Sequence, residues 1–325
     1  MSNEEKKTLE NEEIDEEKEK DEKIKEEEER AEYLKNIKES CKIAKEVREY
    51  IKPKVKVGAK VLDLVEEIEN KIYEKNAAPS FPCNISINNI AAHYTSHKFD
   101  ETVIEEGDVV KVDFGCHIEG AISDQAFTVN FNPEQDKLVE AAEEALQVVI
   151  DNIKPGVETN YLGGLAEETI KKYGYLPVSN LSGHQLEKWL LHAKKTIPIV
   201  KLPSGDIIEE GETYAMEVFV STGLGEVHDT PNVYIYRVQP LRVPLRNKLA
   251  RKMMRFCAEK YQTLPFAKRW LIEEFGFKVR LAIRELTMKK IFYEYHPLAD
   301  KKGSFIAQKE HTLLIEHDSC KVLTE

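Results

Sequence analysis

The stretch Val110-Lys111-Val112-Asp113-Phe114-Gly115-Cys116-His117-Ile118-Glu119-Gly120-Ala121-Ile122-Ser123-Asp124 reads as a β-hairpin, with strands over Val109–His117 and Ala121–Asn130 and a turn near Glu119-Gly120. Side chains alternate between the two faces of a strand, so Asp113 shares its face with its cross-strand neighbours, and Val110, Val112 and Phe114 point the other way. A turn centred on Ile118/Glu119 sets Asp113 directly opposite Asp124. A turn centred on Glu119/Gly120 sets Asp113 opposite Ala126, with Asp124 as the diagonal neighbour. Both registers put two carboxylates on one face, where they repel unless a proton or a cation lies between them.

Working outward, the flanking segments are helical. Tyr33, Leu34, Ile37, Cys41, Ala44, Val47 and Ile51 recur at three and four from Glu32 onward, and Pro53 ends the run. Further helices are expected over about Lys60–Lys75, Glu134–Asn152 and Asn160–Tyr173, and through much of residues 246–293. Residues 79–95 read as loop and short strand. Strands are expected near Pro198–Lys201 and Thr213–Ser221, and a last pair over Ser304–Ala307 and His311–Ile315.

An internal echo orders these elements. Ile51-Lys52-Pro53-Lys54-Val55 returns as Ile153-Lys154-Pro155-Gly156-Val157. Glu105-Glu106-Gly107-Asp108, leading to Asp113, returns as Glu209-Glu210-Gly211-Glu212, leading to Glu217. Phe81-Pro82 before Asn84-Ile85-Ser86 is loosely matched by Leu176-Pro177 before Asn180-Leu181-Ser182. Three matches in one order imply two halves with a shared helix–helix–strand plan, and a site where matched carboxylates face each other.

The chain has 325 residues, 41% hydrophobic and 33% charged, with a net charge of −12. That is enough apolar material for one large domain or two ordinary ones, and the acidic balance argues against direct DNA binding. No apolar run is long enough for a transmembrane helix, and the N-terminus lacks a secretory pattern. Cys41, Cys83, Cys116, Cys257 and Cys320 are scattered, which suits a reducing cytoplasm. Residues 1–30 carry −8 of the charge and few large apolar side chains, so residues 1–31 are expected to be a solvated tail or frayed helix outside a domain spanning 32–325.

Two further acids stand in apolar strands, where a lone carboxylate is costly to bury: Glu217 within Tyr214-Ala215-Met216-Glu217-Val218-Phe219, and Glu310 before His311-Thr312-Leu313-Leu314. Any single histidine is most often structural. Four acids with a histidine are instead a donor set for hard or borderline divalent ions, and their charge of −4 matches two such ions rather than one. Two metals in a carboxylate cage with an activated bridging water make a hydrolase design.

Several motifs together resemble the type 2 methionine aminopeptidases. They are Phe81-Pro82-Cys83-Asn84-Ile85-Ser86-Ile87-Asn88-Asn89-Ile90-Ala91-Ala92-His93-Tyr94-Thr95, the hairpin from Lys111 to Asp124, Gly183-His184, Glu217 with Ser221-Thr222-Gly223, and Glu310-His311-Thr312. The similarity covers about residues 32–320. It implies the α+β "pita-bread", creatinase-like fold, a curved antiparallel sheet backed by paired helices with pseudo-twofold halves. It also implies a helical insertion, matched here by about residues 230–295. The resemblance assigns Asp113 to one metal, Asp124 and Glu310 to both, and His184 and Glu217 to the second, with Glu217 also carrying a proton. It sets His93 at the scissile amide and His192 at the peptide carbonyl. Phe81, Leu191 and Tyr295 would surround the methionine side chain, with His228 at the rim. Thr230-Pro231-Asn232-Val233 departs from the longer eukaryotic forms and is similar to archaeal ones.

The implied reaction is removal of the initiator methionine from nascent polypeptide N-termini with a small second residue. It uses two divalent ions, with Co, Mn, Fe and Zn all suited to the donors. A monomer is expected, with ribosome association through the charged tail as a further partner contact. The competing readings are a non-enzymatic proliferation-associated relative, which would have lost ligands, and an X-Pro peptidase, which would carry an extra N-terminal domain and lack the insertion.

Overall fold

The computed structural model describes residues 3–241 and 243–325, and for residues 3–23 only the helical backbone. Helix α1 runs over Asn3–Ile51 and α2 over Val61–Glu74. The expected apolar stripe of α1 is buried from Tyr33 through Ile37, Cys41, Ala44 and Val47 to Ile51, and Pro53 stands in the 3-10 turn that ends it. The helix begins earlier than Glu32, and its residues 24–32 are exposed. Of the expected tail, Met1 and Ser2 lie outside the described residues. Arg30 donates to the Gly211 carbonyl, and the Tyr33 hydroxyl lies 2.9 Å from Thr213 Oγ1.

Helices α3 (Asp136–Asn152) and α4 (Thr159–Lys172) form the second pair. Each pair has its own core. Val61, Leu64, Val65, Ile68 and Ile72 of α2 pack with Val110, Val112 and Phe114 in one half. Leu138, Ala142, Leu146, Leu162 and Ala166 pack with Met216, Val218 and Val220 in the other. Both pack on one nine-stranded antiparallel sheet. Its main path runs Thr196–Pro198, Ser182–Leu186, Thr213–Ser221, Ile306–Ile315, Gln125–Asn130, Val109–Phe114, Asn84–Ile87. This is the α+β pita-bread arrangement, with the echoed sequences in equivalent places of the two halves.

Three sequence expectations are corrected. The strand near 198–201 is Thr196–Pro198, because its pairing with Ser182–Leu186 ends at Pro198. The last pair of strands is one continuous strand, Ile306–Ile315, held on both sides by neighbours. Residues 246–293 are not helical throughout. Helices α5 (Lys248–Lys260), α6 (Lys268–Phe275) and α7 (Val279–Met288) alternate with strands Phe266–Ala267 and Phe292–Tyr295. Both strands pair with Ile235–Val238 in a separate three-stranded sheet.

That insertion has its own core, including Tyr236, Met253, Phe266, Leu271, Ile283, Leu286 and Phe292. Its seam with the main body is buried and partly apolar, with Leu264 in one cluster with Phe81, Leu186 and Leu191, and partly polar. Arg269, 2% exposed, pairs with Glu69 of α2. Trp270 Nε1 donates to Glu69 at 2.9 Å, and Cys83 N donates to the same carboxylate at 3.1 Å. Among the described residues, no helix is long and apolar enough to cross a membrane.

Candidate metal centre and substrate cavity

The sheet register sets Glu217 opposite Glu310, Glu310 opposite Ala126, Ala126 opposite Asp113, and Asp113 opposite Asn84. Five side chains therefore stand in one row across five strands. Neighbouring rungs of an antiparallel ladder lie about 4.5–5.5 Å apart, so the three acids of the row converge. Ala126 contributes only a methyl and leaves a gap. The hairpin takes the second of the two registers, with Asp113 opposite Ala126 and Asp124 diagonal to it. His184 pairs with Ala215, two residues from Glu217, and thus rises from the same face. Close approach inside the hairpin requires a glycine: a Cβ on Gly115 would lie 1.9 Å from the Ser123 carbonyl oxygen.

The tightest cluster is Asp124, His184 and Glu310, whose nearest ligand atoms all lie within 4.8 Å of one another. His184 Nε2 is 3.7 Å from Asp124 Oδ2. Asp113 and Glu217 join through Gln308. Its Nε2 lies 3.4 Å from Asp113 Oδ2, 3.4 Å from Glu217 Oε2 and 3.3 Å from Glu310 Oε2. Burial raises Asp113 to about 7, and burial with mutual repulsion raises Asp124, Glu217 and Glu310 well above the usual carboxylate range. Burial lowers His184 to about 4, so its imidazole is neutral at pH 7 with a free lone pair. Asp113 Oδ1, Asp124 Oδ1 and His184 Nδ1 are buried without hydrogen-bond partners. Orphaned oxygens on crowded acids beside a neutral imidazole are the donor set a divalent ion satisfies.

The cluster forms the floor of a cavity with about 520 Å³ of open space. Phe81, His93, Leu191, His192 and Tyr295 line it, as do Ile235 and Pro265 of the insertion. His93 has a left-handed backbone, φ 62°, and its Nδ1 faces the His296 carbonyl at 3.2 Å. A carbonyl only accepts, so Nδ1 carries the proton and Nε2 is left with its lone pair. Burial lowers His93 to about 4. The His93 ring meets Tyr295 edge-on at 5.3 Å between centroids, and the His192 and His184 rings lie 4.3 Å apart. His192 has exposed surface and lines the cavity. Enclosure and the neighbouring His184 both disfavour its charged form.

Ten of the eleven expected site residues surround this cavity. The exception is His228, which lies exposed on strand His228–Asp229 and outside the lining. The sequence reading missed Gln308, Ile235 and Pro265. Gln308 was within reach, since it precedes Glu310 by two on one strand and so shares its face. Ile235 and Pro265 carried no such signal, being brought in by pairing between distant segments.

Comparison with known proteins agrees with this geometry. Residues 35–265 match the model of metallopeptidase family M24. The chain belongs to that family. It is 42% identical over 275 residues to a methionine aminopeptidase of Methanothermobacter thermautotrophicus, covering 83% of this chain and 92% of the relative. The chain is thus a member of the methionine aminopeptidases, a group of metal-dependent hydrolases. Among solved structures, a thermophilic Arx1 superposes with a TM-score of 0.79 at 20% identity, covering 90% of each chain. The methionine aminopeptidase of Thermotoga maritima superposes at 0.67 and 19%, covering 90% of this chain and 97% of that one. At these identities the superpositions speak for the fold alone.

Proposed function

We propose that this chain is a methionine aminopeptidase of type 2, which releases the initiator methionine from nascent polypeptides with a small second residue. The observation that carries the reading is the row of Glu217, Glu310 and Asp113 across the sheet, closed by Asp124 and His184 at the floor of an apolar-walled cavity. The type 2 assignment rests on the insertion, whose separate core and buried Glu69–Arg269 seam make it one wall of that cavity.

Asp113, Asp124, His184, Glu217 and Glu310 would hold two divalent ions. Bound there, the ions would lower the pKa of a water and polarise the scissile carbonyl. The chain's own residues do the rest. Phe81, Leu191 and Tyr295 enclose an unbranched thioether side chain. Glu217, only partly buried and open to the cavity, takes and returns a proton. His192 donates a hydrogen bond to the carbonyl oxygen as negative charge grows there. His93, protonated at Nδ1, presents Nε2 to the amide N–H. A bulky second residue would meet the walls at His93 and His192, which favours small ones. A cytoplasmic monomer, with residues 1–31 serving ribosome contact, completes the proposal.

The deciding experiment is hydrolysis of Met-Ala-Ser by metal-stripped protein before and after adding back Mn, Fe, Co or Zn. Activity restored by a divalent ion, with free methionine as product, is the expected outcome. Release of methionine by fully stripped protein would overturn the assignment.

A further inference from the structure

The insertion sheet has two different faces. Tyr236 and Phe292 point into the insertion's own core. The other face carries Ile235 opposite Tyr295 and Arg237 opposite Tyr293. Ile235 and Tyr295 line the cavity, whereas Tyr293, 45% exposed, stands toward solvent. Arg237 is the next side chain after Ile235 on that same face, just beyond the residues that line the cavity. Its guanidinium lies over the Tyr293 ring, 5.6 Å from the centroid, which limits where the side chain can point.

Arg237 lacks a partner. Its Nε is buried and unbonded, and among the described residues it forms no ion pair and no hydrogen bond. A buried donor left unmade carries a desolvation penalty. Such a cost is retained where a ligand supplies the acceptor. The charge of Arg237 is felt at His192 and at Tyr295, both on the cavity wall, where it disfavours the imidazolium and favours the phenolate.

The spacing names the acceptor. Ile235 and Arg237 are separated by two strand residues, about 6.6 Å. An extended substrate advances by the same amount over two residues. A substrate running alongside this strand with one residue beside Ile235 would present a main-chain carbonyl at Arg237 two residues later. We infer that Arg237 is a substrate-binding residue that donates hydrogen bonds to main-chain carbonyl oxygens of the departing polypeptide, at its second or third residue. This rests on the aminopeptidase reading above. It adds a recognition element that is blind to side chains, as an enzyme acting on many different N-termini requires.

The test uses full-length, metal-loaded protein and three substrates: methionine 4-nitroanilide, Met-Ala-Ser amide and Met-Ala-Ser free acid. Arg237→Gln is expected to raise KM about tenfold for both tripeptides, equal to about 1.4 kcal/mol, and less than twofold for the anilide. kcat and metal content should hold, and Arg237→Lys should lie between. A loss confined to the free acid would mean pairing with a terminal carboxylate and would overturn the carbonyl assignment. Equal losses on all three substrates, or a change in metal content, would make Arg237 a support of the fold and overturn it as well. No turnover of any substrate by the unaltered protein would refute the aminopeptidase reading instead.

Discussion

The two sides of the cavity are built on different principles. The metal side stands on one continuous sheet, where ladder register sets Asp113, Glu217 and Glu310 in one row. The substrate side is assembled from short strands and an insertion with its own core, joined to the main body at the buried Arg269–Glu69 contact. A sheet transmits position along every rung, so ligand geometry is overdetermined. The insertion meets the main body through side chains rather than a continuous ladder: the Arg269–Glu69 pair, Leu264 in one apolar cluster with Phe81, Leu186 and Leu191, and Tyr234 against Tyr94 and His97. Chemistry and selectivity thus rest on scaffolds of different construction.

The largest effect should come from the metal side. Asp124→Asn or Glu217→Gln should lower metal content and reduce turnover by about 10³-fold or more, roughly 4 kcal/mol, while circular dichroism stays native. Full activity in a metal-analysed variant would remove the basis for treating this side as the chemical one.

Next in size is the seam. Arg269→Met leaves Glu69 buried without its cation, a loss of the kind that costs about 3–5 kcal/mol. Thermal unfolding should report it. At temperatures below the transition, KM for Met-Ala-Ser should rise while metal content holds. Loss of metal in this variant would show that the two sides are not separable.

A third test uses protons. Folding raises the pKa of Asp113 to about 7, and burial with mutual repulsion raises those of Asp124, Glu217 and Glu310 well above the usual carboxylate range. Without metal, the folded state therefore binds more protons than the unfolded one, so the stability of stripped protein should fall as pH rises from about 4 toward 7. Metal must displace those protons, so affinity should climb over the same range, about tenfold per pH unit for each proton released. Calorimetric titration in two buffers of different ionisation enthalpy measures the release; a value of zero at pH 6 would contradict the raised acids.

The smallest effect is expected at the N-terminus. A chain beginning at Glu32 loses the Arg30 contact to Gly211 but keeps Tyr33 and the buried stripe of α1. Its kcat/KM on a tripeptide should stay within about twofold, or roughly 0.4 kcal/mol. A tenfold fall would tie residues 1–31 to the catalytic body.

Much of the metal side was legible in sequence. Glu217 and Glu310 stood out in apolar strands, and strand alternation put Asp113 and Asp124 of the hairpin on one face in either register. The duplicated Glu-Glu-Gly segments located the two halves, because a repeat preserves order even where single matches are weak. These signals are local, spanning a few residues of a period-two pattern. The tertiary structure decided what depends on distant segments meeting. It selected the register with Ala126 opposite Asp113, since only the sheet as a whole brings Glu310 to the other side of Ala126. It joined Ile235–Val238 to Phe292–Tyr295 across the intervening insertion helices, turning part of an apparently helical region into the cavity wall that holds Ile235 and Tyr295. Pairing of that kind leaves little trace in either segment alone, because a four-residue strand is too short for its periodicity to stand out and its stability comes from the partner it finds.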